Sequence, residues 1–247
     1  MTTLFKLPVR YQGTGGSRGE SIERIEGLLR PGMRILDVGA GRRPTVAPER
    51  RPEGVHYTGV DILGVELDLA GPRAYEDARS FDITEPLPED LVGQFDLVIC
   101  VSVLEHVSSL VAAIEGMRDA LRPGGVMVFH TAGRWGLLPG VMNRLLPRRV
   151  GLFLLGRMTR RSSDTVFPAH YDRCYDRAIR RILKDDWTAV HVRPLHFGGY
   201  YLLNVRPLLW PYLAWEELTR RAGWRNLATH YLVYAERPPL PGSSFAE

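Results

Sequence analysis

The run Arg34-Ile35-Leu36-Asp37-Val38 breaks directly into Gly39-Ala40-Gly41, and this junction constrains the fold of the 247-residue chain more than any other stretch. Arg34 to Val38 reads as a short buried strand. A strand that opens into Gly-x-Gly is how an open α/β sheet presents a ligand site at the carboxyl ends of its strands. The glycines let backbone approach that ligand. A second apolar run, Val55 to Val60, ends in Asp61, 24 positions after Asp37. A carboxylate there is placed to accept both hydroxyls of a ribose. Strand, Gly-x-Gly, strand and terminal acid in this register imply an adenosine-containing cofactor. The alternative for the glycines is a tight turn with no ligand.

The rest of the chain is read around this unit. Phe95 to Val101 and Val126 to Thr131 are rich in branched residues and read as further buried parallel strands. Between them Leu110, Ile114, Met117 and Leu121 recur at helical spacing, and Pro123-Gly124-Gly125 stops the pattern, so the crossover is right-handed. Ser17 followed by Glu20 predicts a capping box for a helix through Ile22, Ile25, Leu28 and Leu29. Trp187 to Leu195 and Leu227 to Ala235 read as the last strands, and between them lies an aromatic stretch, Phe197 to Trp215, broken by Pro207 and Pro211. With 45% hydrophobic and 24% charged residues, the chain buries a core and suits one large α/β domain with an insertion. The expected division is 1–133 for the first helix and cofactor core, 134–184 for a basic insertion, 185–237 for the end of the sheet, and 238–247 for a flexible tail. Two cysteines, Cys100 and Cys174, make no disulfide framework. With no signal-like start and no run of ~18 apolar residues, a cytoplasmic protein is expected.

The net charge of +4 conceals an uneven distribution. From Arg134 to Lys184 there are eleven arginines and one lysine against Asp164, Asp172 and Asp176, a balance of +9 that leaves −5 for the remainder. One reading is a solvated face on a substrate lid. A second is a site for an anionic or lipid-linked sugar, because arginine matches carboxylate and phosphate bidentately. A third is peripheral contact with a membrane surface, since Leu145, Leu146, Val150, Phe153, Leu154 and Leu155 lie among arginines as in an interfacial helix. Nucleic acid is not favoured as a partner, because no stacking platform or binding motif accompanies the charge.

Nicotinamide dinucleotides also bind at Gly-x-Gly-x-x-Gly, but here the third glycine position holds Pro44, which has no N–H for a pyrophosphate. S-adenosylmethionine carries no phosphate and loses nothing. Ile35 to Gly41, Val60-Asp61, Phe81-Asp82-Ile83, Phe95 to Cys100 leading to Leu104-Glu105-His106-Val107, and Leu121-Arg122-Pro123-Gly124-Gly125 together resemble class I S-adenosylmethionine-dependent methyltransferases of the small-molecule type. The likeness covers residues 31 to 132. It implies a Rossmann-like, doubly wound, mostly parallel seven-stranded α/β sheet with an antiparallel last strand and a basic helical insertion after the fifth strand. It further implies that Gly39, Ala40 and Gly41 pass under the methionyl part and that Asp61, beside Ile62, binds the ribose. Asp82 and Ile83 would flank the adenine, and Val101 and Ser102 would line the wall near the sulfonium. Asp37 either touches the cofactor or orients the loop. Arg43 stands where such families often carry a further glycine.

A hydroxyl acceptor benefits from a general base, and histidine titrates nearest neutrality. His130, near the end of the fifth strand, is the first candidate, against a packed strand-end histidine. His106, from the Glu105-His106 pair, and His170 and Tyr171, in the insertion, are the others. Tyr11 is either a flap over the cofactor or part of an unstructured start. No metal is required. The loop Phe167-Pro168-Ala169-His170-Tyr171 is similar to methyltransferases of polysaccharide and glycolipid synthesis, so O-methylation of a saccharide or glycolipid precursor is the leading expectation. An aromatic natural product comes second, and a cofactor-binding scaffold without catalysis, recruited to a membrane, is the alternative of another class.

Overall fold

The apolar runs become neighbours in one sheet. The computed structural model describes residues 8, 11, 16–141, 145 and 168–240. Its strands are β1 (Arg34–Val38), β2 (His56–Asp61), β3 (Asp77–Ser80), β4 (Phe95–Val101), β5 (Leu121–Ala132), β6 (Thr188–Leu195) and β7 (His230–Glu236). Their order is β3-β2-β1-β4-β5-β7-β6. β7 runs antiparallel to both β5 and β6, and the remaining pairs are parallel. This is the mostly parallel seven-stranded sheet with an antiparallel last strand that the sequence implied. The chain proceeds outward from β1 through β2 to β3, then returns to lay β4 on the other side of β1. That reversal opens a crevice at the carboxyl ends of β1 and β4.

Among the described residues the helices flanking the sheet are α1 (Gly16–Glu26), α2 (Gly64–Asp68), α3 (Leu110–Ala120), α4 (Asp176–Leu183) and α5 (Arg206–Arg221). Alternation along the strands divides the core. Leu36, Val38, Val98, Cys100 and Phe129 face Leu110, Ile114 and Met117 of α3 and Ile179 and Leu183 of α4. Ile35, Leu97, Ile99, Val101 and Val128 face Ile25 of α1 and Leu209, Tyr212 and Leu213 of α5. At the amino end of β4 the Asp96 carboxylate accepts from Arg34 N at 2.7 Å and pairs with Arg122, far from the crevice.

Several elements differ from the sequence reading. The capping box is replaced: α1 already begins at Gly16, Ser17 is buried inside its first turn, and Glu20 pairs with Arg24 and Arg193. The aromatic stretch does not break at its prolines. Pro207 occupies the first turn of α5, where no N–H is needed, and Pro211 lies inside the helix. Burial of Tyr212, Leu213, Glu216 and Thr219 on one side carries the helix through the lost hydrogen bond. β7 starts later than Leu227, after a 3-10 turn at Arg225–Leu227. No helix joins β1 to β2, only turns and a 3-10 turn at Pro48–Arg50. The interfacial-helix residues from Leu146 to Leu155 and the tail from residue 241 lie outside the described residues. Among the described residues no helix is long and apolar enough to cross a membrane.

Candidate functional site

The glycine loop is bent by two hydrogen bonds, with Gly39 N and Ala40 N both donating to Val60 O at 2.8 and 3.0 Å. Gly39 and Gly41 have φ of +71° and +54°, the left-handed region where a side chain is strained. A Cβ on Gly39 would also come within 2.1 Å of Val103, which follows β4 across the crevice. The loop and the β4 end therefore meet over a floor that only glycine permits.

Asp37 lies beneath this floor, fully buried. Its Oδ2 accepts from Thr45 N and Tyr57 Oη at 2.7 and 2.8 Å, and its Oδ1 accepts from Thr45 Oγ1 at 2.9 Å. Burial lifts its carboxyl to about 6 against these hydrogen bonds and the Arg51 charge. Of the two roles considered for Asp37, the geometry supports orienting the loop.

Asp61 ends β2 beside the loop. Its Oδ2 accepts from Gly41 N at 3.0 Å and its Oδ1 from Leu63 N at 2.9 Å, so the carboxylate faces the crevice with lone pairs to spare. Next to it the Ile62 side chain is 63% exposed, an apolar surface suited to an adenine face. Tyr75, which sequence reasoning missed, donates from its hydroxyl to Gly41 O at 2.7 Å. Arg42 grips Glu66 of α2 bidentately at 2.7 Å across the same loop. Asp82 Oδ1 caps its own turn, accepting from Thr84 N and Oγ1. Ile83 is buried in the core, where its backbone carbonyl and its side chain both pack against Gly116 of α3.

The wall opposite comes from β4 and β5. Val101 is buried, and Ser102 has φ +63°, a strained conformation for a residue with a side chain. Two contacts hold it: Ser102 N donates to His130 O at 2.8 Å, and Ser102 Oγ lies 3.2 Å from His130 Nδ1. His130 is 2% exposed and stacks on His230, the ring centroids 5.0 Å apart at 18°. Burial holds both imidazoles neutral, His130 well below its ordinary value and His230 at about 4; His230 and Arg18 of α1 push His130 further down.

His106, His170 and Tyr171 form a second group. Thr131 points to the face of β5 opposite His130 and donates to the buried Glu105 carboxylate at 3.1 Å. Glu105 O accepts from His170 N and Tyr171 N at 2.8 and 3.0 Å. His106 Nδ1 donates to Pro168 O at 2.8 Å, which fixes that nitrogen as the protonated one. The return of the insertion is thus fastened over the β4–α3 connection. Within it His170 is exposed, whereas Tyr171 is buried and its phenol is pushed far above the ordinary range. Tyr171 is therefore no proton acceptor at neutral pH. Tyr11 is neither a flap nor loose: it is buried against Phe197 and Tyr200, donates to Glu216 of α5, and accepts from Gly199 N at 2.9 Å.

The crevice fits an adenosine-containing group without phosphates. Asp61 offers acceptors for ribose hydroxyls, Ile62 offers an apolar face, and no helix N-terminus follows the glycine loop to receive a pyrophosphate. Among the described residues no three His, Cys, Asp or Glu side chains are grouped to hold a metal ion.

The chain is similar to known methyltransferases. The ubiquinone biosynthesis O-methyltransferase of Aromatoleum aromaticum is 31% identical over 117 residues, 46% of this chain and 49% of that protein. The chain thus spans about half the length of this relative. The enzyme of the same name from Actinobacillus pleuropneumoniae serotype 7 is 27% identical over 181 residues, 70% of this chain and 74% of that protein. Among solved structures, phosphoethanolamine N-methyltransferase 2 of Haemonchus contortus, in complex with phosphomonomethylethanolamine and S-adenosylhomocysteine, shares the fold. Its TM-score is 0.56 at 15% identity, covering 91% of this chain and 53% of that one. A family described as methyltransferase domain matches residues 17–185. With the match running from α1 through the glycine loop, Asp61 and His130 to α4, the chain belongs to the methyltransferase-domain family.

Proposed function

We propose that this chain is an S-adenosylmethionine-dependent methyltransferase that methylates a hydroxyl of a small-molecule acceptor, with His130 taking the acceptor's proton. The observation that carries the reading is the convergence of the glycine loop, Asp61 and the Ser102–His130 contact at the carboxyl ends of β1, β2, β4 and β5. Gly39, Ala40 and Gly41 would hold the methionyl part, Asp61 the ribose, and Ile62, Asp82 and Ile83 would flank the adenine. Bound there, the cofactor supplies a methyl group already activated by its sulfonium.

The chain then has two tasks. One is to hold the acceptor oxygen in line, which contributes ~7–11 kcal/mol in well-oriented reactions. The other is to receive the proton. With the Nδ1 hydrogen donated to Ser102 Oγ, His130 keeps a lone pair on Nε2, and burial ensures the ring is neutral at neutral pH. The return of the basic stretch, at Pro168, His170 and Tyr171, packs on Glu105 and His106, which favours the acceptor side for these residues.

The relatives named for O-methylation in ubiquinone biosynthesis support oxygen as the methylated atom. They also move a hydroxylated aromatic ring ahead of the saccharide that the sequence favoured. The test is a panel of phenols, sugars and lipid-linked sugars assayed for S-adenosylhomocysteine release. Release is expected with the phenols. Cofactor binding without release from any acceptor would replace this reading with a scaffold.

A further inference from the structure

Two nitrogens remain once the hydrogen bonds around the β4–β5 wall are assigned. His130 Nε2 and His230 Nδ1 are buried and have no hydrogen-bond partner among the described residues. Leaving a polar group buried and unsatisfied costs ~1–3 kcal/mol, so a pair of them side by side calls for partners that the described residues do not supply. The register makes them neighbours. His130 lies opposite Leu232 and His230 opposite Ala132, so the two side chains share a face of the sheet one diagonal step apart. Their rings stack with centroids 5.0 Å apart. Neutral imidazoles offer one hydrogen bond per free nitrogen and no charge, which suits hydroxyl groups rather than carboxylates or phosphates.

A ligand engaging both nitrogens needs two polar atoms close together, each within about 2.7–3.2 Å of its ring nitrogen. Hydroxyls on adjacent carbons meet that requirement, and a single hydroxyl leaves one nitrogen unsatisfied. We propose that His130 and His230 form a two-point recognition site for acceptors carrying hydroxyls on adjacent carbons. His130 Nε2 takes the hydroxyl that is methylated, and His230 Nδ1 holds its neighbour. This rests on the hydroxyl-methylation reading above, and it gives the substrate class and assigns a role to His230. The vicinal pair could belong to a catechol or to a sugar ring.

The test measures, by calorimetry in the presence of S-adenosylhomocysteine, the affinity of catechol against phenol and of a cyclic cis-diol against its single alcohol. Wild type, His230→Phe and His230→Asn are compared. In the wild type one of the diols is expected to bind about ten-fold more tightly than its single-hydroxyl counterpart, as loss of one hydrogen bond to a buried partner predicts. Whichever diol shows the preference identifies the source. His230→Phe keeps a ring in the stack and is expected to bring the ratio to about one. His230→Asn returns a polar group near the Nδ1 position and is expected to restore much of it. Equal affinities in the wild type, or a ratio unchanged in His230→Phe, would overturn the proposal and leave the nitrogens to a buried water. Release of S-adenosylhomocysteine from S-adenosylmethionine, followed with the same acceptors, separates the two claims. A binding preference without release sinks the methylation reading alone, and release without preference sinks the histidine pair alone.

Discussion

Asp37→Asn probes whether the carboxylate under the glycine loop is structural. Burial raises the Asp37 carboxyl from 3.8 to about 6 in the folded protein. Between those values the folded chain binds the extra proton, so stability falls as pH rises through the window. The cost is absent below the unfolded value and complete above the folded one. Roughly two units at 1.36 kcal/mol each give about 3 kcal/mol at pH 8. Asparagine removes the charge while preserving the pattern of contacts. Its oxygen can accept from Thr45 N and Tyr57 Oη in place of Asp37 Oδ2, and its amide can donate to Thr45 Oγ1. Asp37→Asn should therefore be more stable than wild type at pH 8 by up to about 3 kcal/mol, with the gain shrinking on acidification and gone near pH 4. Urea denaturation across this range reads the difference. Affinity for S-adenosylhomocysteine, measured on the same samples, should change little, because the carboxylate faces the loop's underside. A variant less stable at pH 8, or a gain independent of pH, would show that the Asp37 charge is not a buried cost to the fold.

The other predictions bear on the site's remaining groups. Asp61→Ala removes both the ribose acceptor and the anchor of Gly41 N. The thermal stabilisation that S-adenosylhomocysteine gives the wild type should be largely lost, and a full shift in the variant would exclude Asp61 from the cofactor site. The stacked histidines predict acid sensitivity. His230 titrates near 6.5 when unfolded but at about 4 when folded. Its contribution is present above pH 6.5 and lost as pH falls toward 4, about 3 kcal/mol in all. Asp37 works in the opposite sense over the same window, so the loss is read most clearly in Asp37→Asn. A flat stability profile in that variant from pH 7 to 4 would contradict the buried neutral pair.

β1 and β4 could be read directly from the sequence, because each is an apolar run bounded by turn formers and ends where the run ends. β3 was implied only by the family likeness. Asp77-Ala78-Arg79-Ser80 is a short polar edge strand whose residues are mostly exposed, so it carries no hydrophobic signal. α5 was hidden by treating Pro207 and Pro211 as breaks. The apolar face it buries outweighs one missing hydrogen bond, and that face is visible only once the sheet is in place. The glycine loop and Asp61 were legible because strand, turn and acid are local in sequence. His230 was not: it meets His130 across 100 positions through β5–β7 pairing, and nothing near it in sequence signals that contact. Glu105 meeting Thr131, and Tyr11 meeting Glu216, are likewise products of the fold. His130 itself was legible as a histidine near a strand end by the crevice, but the neutral partner stacked upon it was not.

Whether His130 takes the acceptor's proton is read from turnover of S-adenosylmethionine with a hydroxylated acceptor in wild type and His130→Ala, alongside the affinity of each for S-adenosylhomocysteine. The wild type is expected to release S-adenosylhomocysteine and give an O-methylated product, and the variant to fall ~10²-fold or more in turnover with cofactor affinity preserved. Turnover undiminished in His130→Ala would exclude His130 as the base.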